Sequence, residues 1–76
     1  MKQLVEVLVK GLVDTPDQVE VTATEAPRSV AIQVRVAGGD MGKVIGRGGR
    51  VAKAIRTVVK SAAAKDGRRV TVEFMP

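Results

Sequence analysis

The sequence predicts an α+β fold: a two-layer sandwich of order α-β-β-α-α-β, with helices covering one face of a three-stranded sheet. Two patterns predict it. Apolar residues recur at helical spacing near the start of the chain and again between residues 50 and 62. Three short segments instead alternate apolar with polar side chains, so each reads as a strand with one apolar face. A chain of 76 residues is expected to be one domain, 1–76, that buries roughly 60% of the surface its unfolded form exposes.

Residues 2–13, KQLVEVLVKGLV, place Leu4, Val5, Leu8, Val9 and Leu12 along one stripe of an amphipathic helix. Asp14-Thr15-Pro16-Asp17 ends it with turn-forming residues. Val19, Val21 and Ala23 then alternate with Glu20, Thr22 and Thr24 as a half-buried strand, broken at Ala26-Pro27-Arg28-Ser29. Val30, Ile32, Val34 and Val36 alternate with Ala31, Gln33 and Arg35 as a second strand. The short connection makes the pair an antiparallel hairpin, closed by Gly38-Gly39.

Asp40 is placed to N-cap a short helix over 41–45. A glycine cluster interrupts, and a longer helix follows, with Val51, Ala54, Ile55, Val58, Val59 and Ala62 as its apolar face. Arg50, Lys53, Thr57 and Lys60 form another stripe, with Arg56 nearby. Asp66-Gly67 ends this helix. Val70, Val72 and Phe74 alternate with Arg69, Thr71 and Glu73 as the last strand.

Composition narrows the function. The chain has no histidine and no cysteine, so it lacks the commonest general base and the usual zinc ligands. Its acidic residues are scattered and no catalytic constellation forms. We therefore expect no enzyme, no cofactor, no metal and no small-molecule substrate. The glycines fit neither a Walker A loop nor a dinucleotide fingerprint, since Val51 stands three residues after Gly48. No apolar run approaches the roughly 20 residues that cross a bilayer, and no signal-peptide pattern opens the chain, so the expected place is the cytoplasm, without membrane insertion. Phe74 is the one aromatic residue, which leaves no platform for stacking bases.

Charge is segregated. Residues 1–42 carry four Lys/Arg against six Asp/Glu, a net of −2, whereas residues 43–69 carry nine Lys/Arg against Asp66 alone, a net of +8. A field confined to one segment suggests a polyanionic partner. That segment opens with GKVIGRGGR, residues 42–50.

Gly46-Arg47-Gly48-Gly49 is a G-x-x-G tetrapeptide between two helices, preceded by Val44-Ile45. This arrangement resembles the signature of KH domains, which bind single-stranded RNA or DNA, and the element order resembles the prokaryotic, type II topology. The stretch GKVIGRGGRVAKAIRTVVKSAAAKDGRRVTVEF, with the opening LVDTPDQVEV, is similar to the small single-domain bacterial KH family KhpA, also called YlqC. The similarity extends over nearly the whole chain.

The resemblance implies single-stranded RNA as partner, with the loop clamping the sugar-phosphate backbone of about four nucleotides. Gly46, Gly48 and Gly49 would let that backbone approach closely, and Arg47 would supply a charge-assisted contact. Arg50 and Lys53 would extend the cationic track along the next helix, with Lys43 on the other side of the loop. Bases would lie in an apolar groove near Val44 and Ile45, bounded by the second strand, a mode that needs no aromatic platform. Gly48 leaves the second variable position of the loop without a side chain. The implied role is a post-transcriptional regulator or RNA chaperone. A second reading is a dimerising KH adaptor that pairs with itself or with a larger multidomain KH protein. A third, a basic helix lying on an anionic membrane, is disfavoured because residues 50–62 carry no Trp, Phe or Leu.

Overall fold

The fold follows from how three alternating segments line up their apolar rows. A computed structural model describes all 76 residues. Its elements are α1 (Lys2–Lys10), β1 (Glu20–Ala26), β2 (Ser29–Arg35), α2 (Met41–Ile45), α3 (Arg50–Ala64) and β3 (Arg69–Met75), with single 3₁₀ turns at Pro16–Gln18, Gly38–Asp40 and Arg47–Gly49. The order is the expected α-β-β-α-α-β.

The strands form one sheet in the order β1-β2-β3, with β1 antiparallel and β3 parallel to β2. Ala26 pairs with Ser29, so the hairpin turn is only Pro27-Arg28. Val21 faces Val34 and Ala23 faces Ile32 across β1 and β2; Val30, Ile32 and Val34 face Val70, Val72 and Phe74 across β2 and β3. Because side chains alternate between faces, this register gathers every apolar row on one side of the sheet. A parallel pair cannot be joined by a tight turn, so α2 and α3 serve as the crossover from β2 to β3 and cover that face. The central strand is the most completely buried: Val30, Ile32 and Val34 join Val5 and Val9 of α1, Val44 of α2, and Ile55 and Val59 of α3 in one core.

Three details differ from expectation. First, α1 ends at Lys10 rather than at residue 13, leaving Leu12 exposed. The chain is drawn away because the backbone N–H groups of Asp14 and Thr15 donate to the Asp40 carboxylate, at 3.3 and 3.0 Å. Second, and for the same reason, Asp40 is not a side-chain cap of α2. It is buried, 4% exposed, and ties the turn after α1 to the entry of α2. Third, α3 is rotated relative to the apolar stripe read from its spacing. Ala52, Ile55, Val59 and Ala63 are buried, whereas Ala54 and Val58 are exposed and Val51 and Ala62 half-buried. Alanines at 52 and 63 let the helix approach the sheet closely, and close approach wins over the larger apolar face that Val58 would offer.

Candidate nucleic-acid interface

Valine and isoleucine carry α2 into the core and then stop it. Val44 is fully buried, so it supports the following loop from beneath and presents no side chain outward. Ile45 is half-buried at the surface edge. The Gly46 N–H still donates to the Gly42 carbonyl at 2.9 Å, after which Gly46 takes φ 74°, ψ 174°, a conformation open essentially to glycine alone. A Cβ at this position would stand 2.4 Å from Cγ2 of Val51, so the backbone of Gly46 lies directly against the first turn of α3.

Gly48 (φ 62°, ψ 21°) also lies in the left-handed region, as does Gly49, and the chain then enters α3. Nothing stands within 4 Å of where a Cβ would be at Gly48 or Gly49. The loop thus has two halves: Gly46 is demanded by packing, while the backbone at 48 and 49 is open to a partner. No side chain caps α3, and its first turn holds no acidic residue. Its leading N–H groups therefore keep their affinity for an anion, with the exposed side chains of Arg47 and Arg50 on either side.

Lys43 lies one turn before the loop, but its ammonium is paired with Asp14. The hydrogen bond to Asp14 leads in holding the Lys43 ammonium above the usual lysine range; desolvation opposes it, and the charges of Asp14 and Asp40 add smaller upward contributions. Both partners are exposed, so a phosphate can exchange with Asp14 at little expense. Lys53 is exposed on α3 and free of ion pairs.

β2 is central and hydrogen-bonded on both sides, so the strand with an open edge beside α3 is β3. There Arg56 is fixed: its Nε–H donates to the Val72 carbonyl at 3.1 Å, and its guanidinium lies over the Phe74 ring, 5.5 Å from the centroid. Sequence reasoning left Arg56 without a role. Only the alternation of β3, which puts Val72 and Phe74 on the helix side, hinted at such a partner. Nor was Asp40 recognisable as a buried carboxylate, since its partners lie 25 and 26 residues away.

No helix is long and apolar enough to cross a membrane. Against known proteins, the family model described as KhpA/KhpB, KH domain, matches residues 2–74. The chain is 53% identical, over 99% of its length and the whole of the relative, to a protein of Clostridium acetobutylicum named RNA-binding protein KhpA. Proteins with the same name from Caldanaerobacter subterraneus subsp. tengcongensis and Aquifex aeolicus are 52% and 43% identical, each over 99% of this chain and over 100% and 95% of their own lengths.

Proposed function

The chain belongs to the KhpA/KhpB KH-domain family, and from that premise we propose that it binds single-stranded RNA through the Gly46–Gly49 loop. Acting as one KH domain over residues 1–76, it serves as a post-transcriptional regulator or RNA chaperone in the cytoplasm and performs no catalysis. The observation that carries this reading is the open backbone at Gly48 and Gly49, set before an uncapped helix start and flanked by Arg47 and Arg50.

Each residue then has a task. The N–H groups entering α3 receive a phosphate oxygen, and Arg47 and Arg50 add charge-assisted hydrogen bonds. Lys53 meets the next phosphate along the helix. Lys43 exchanges Asp14 for a phosphate on the α2 side. Ile45 offers apolar surface to a base, while Gly46 and Val44 hold the loop against α3 and the core. Because these contacts address the backbone, binding is tolerant of sequence.

Titration of a labelled single-stranded oligonucleotide and its duplex tests this. The single strand is expected to bind with Kd of about 1–100 μM, and log affinity to fall with log salt with a slope of about −3 for four phosphates. Equal binding of the duplex, or affinity insensitive to salt, would contradict the reading.

A second reading, the adaptor that pairs with another copy or with a larger KH protein, draws on Val58 of α3 and Val7 of α1, which are 47% and 72% exposed. Sedimentation of the native chain beside Val58→Lys tests self-pairing. A native dimer that the substitution dissociates supports it, and a native monomer at high concentration contradicts it.

A further inference from the structure

The two edges of the sheet are finished differently. On the β3 edge the Arg56 side chain takes the Val72 carbonyl, which interrupts the ladder that an added strand would need. The β1 edge has no such guard. β1 pairs with β2 without a break from Glu20 to Ala26, so it carries no bulge, and neither proline nor lysine stands within it. Bulges, prolines and lysines are the devices that ordinarily blunt an edge.

Backbone alternation fixes what the β1 edge offers. Arg69 N–H donates to the Arg28 carbonyl and Val36 N–H to the Met75 carbonyl, so even-numbered residues of β2 turn their backbone groups toward β3 and odd-numbered ones toward β1. In the antiparallel register those odd residues face Ala26, Thr24, Thr22 and Glu20, which exchange the ladder bonds with them. Val21, Ala23 and Glu25 therefore turn their N–H and C=O groups outward, and no bond outside the ladder reaches them. A cleft of about 430 Å³ runs beside Ala23 and Glu25, walled by Met1, Lys2 and Gln3 at the start of α1. It gives an extended backbone room to lie along the edge.

Charge selects the guest. Residues 11–27 hold four carboxylates and no Lys or Arg, a net of −4 in a chain of net +5. Asp14 and Glu25 are ion-paired, whereas Asp17 and Glu20 are exposed and make no ion pair. A second copy laid along β1 would set two acidic edges together, and RNA would meet charge of its own sign. We propose that the β1 edge binds an extended basic segment of a protein partner by strand addition, its lysines or arginines lying toward Asp17 and Glu20. Lys2, the one cation of the cleft without an ion pair, stands beside the other end of the strand and sets the direction of the guest. No residue of the Gly46–Gly49 loop lines this cleft, so peptide and RNA can be held at once.

The test titrates the full chain with a labelled peptide that alternates lysine with valine, and with its counterpart carrying glutamate for lysine. The lysine peptide is expected to bind at least about tenfold more tightly. Ala23→Pro removes an outward N–H without touching the ladder, and Asp17→Lys/Glu20→Lys reverses the free charge; each should lose at least about fivefold in affinity for the lysine peptide. A control, Asp66→Lys/Glu73→Lys, makes the same change of net charge at exposed positions off β1 and should lose less than about twofold. Circular dichroism confirms that each variant is folded. Amide hydrogen exchange on the native chain needs no variant: bound peptide should slow Val21, Ala23 and Glu25 and leave Thr22 and Thr24, already in the ladder, unchanged. Equal binding of the two peptides, no binding of either, exchange unchanged at the three outward amides, or equal losses in control and charge variant overturn the proposal. So does displacement of the peptide by single-stranded RNA, which would place the peptide on the basic surface. A native dimer that Ala23→Pro dissociates would assign the edge to a second copy and overturn it as well. Failure of the native chain to bind RNA, with peptide binding intact, would overturn the loop reading alone.

Discussion

Two glycines in one loop illustrate how differently a shared backbone conformation is used. Gly46 and Gly48 both have positive φ, but only Gly46 lies against another side chain, Val51. Replacing either by alanine strains the backbone by about 1–2 kcal/mol. At Gly46 the extended ψ and the collision with Val51 add overpacking of about 1–3 kcal/mol. Urea unfolding of Gly46→Ala and Gly48→Ala should therefore show the first to be clearly less stable. Equal losses would mean that Val51 yields freely and that the packing argument is wrong. The sequence marked both glycines as one motif because spacing was all it displayed. Their division into a packed half and an open half depends on where α3 lies, which no local pattern states.

At the scale of elements, the tie between the end of α1 and the start of α2 decides how firmly the loop is held. Asp40 is buried and receives two backbone N–H groups. Asp40→Ala leaves both without a protein partner, a loss of about 1–3 kcal/mol. In a domain this small each kcal/mol lowers Tm by roughly 4–8 °C. A melting curve that moves by less than a degree or two would show that solvent replaces the carboxylate. The Lys43–Asp14 pair spans the same junction at the surface, and its pH dependence has a definite sign. The ammonium is held above its ordinary value, so whatever the pair contributes is complete below the unfolded lysine value of about 10.4 and is lost only as pH rises through the raised one. Melting temperatures of native and Lys43→Ala chains should differ by a constant amount from pH 6 to 8. A gap that changes within that range would assign the coupling to another group.

The strands were legible in the sequence because strict alternation in β1, β2 and β3 has one solution that buries every apolar row. The rotation of α3 was not, because Ala52 and Ala63 carry little hydrophobic signal and Val58 carries much. The helix buries the alanines nonetheless, for the sake of close approach to the sheet. For the candidate site, the spacing of the glycines was enough to place the loop between α2 and α3, where Arg47 and Arg50 are exposed, whereas the place of β3 at the open edge beside α3 follows only from sheet order.

For the molecule as a whole, the division of charge matters more than its total. The acidic first half of the sequence supplies Asp14, Asp40 and Glu25, each holding a group at or beside the basic surface: Lys43, the α1 turn and Arg68. The basic half supplies the loop, the outer flank of α3 and the β3 edge. A segment of net charge +8 in a small domain makes association with a polyanion salt-dependent and fast, and leaves discrimination among sequences to few contacts. The most direct test of this account is a titration of single-stranded RNA with the native chain and with Arg47→Asp/Gly48→Asp, both verified as folded. The account predicts that the variant loses at least about tenfold in affinity. Unchanged affinity in a folded variant would contradict it.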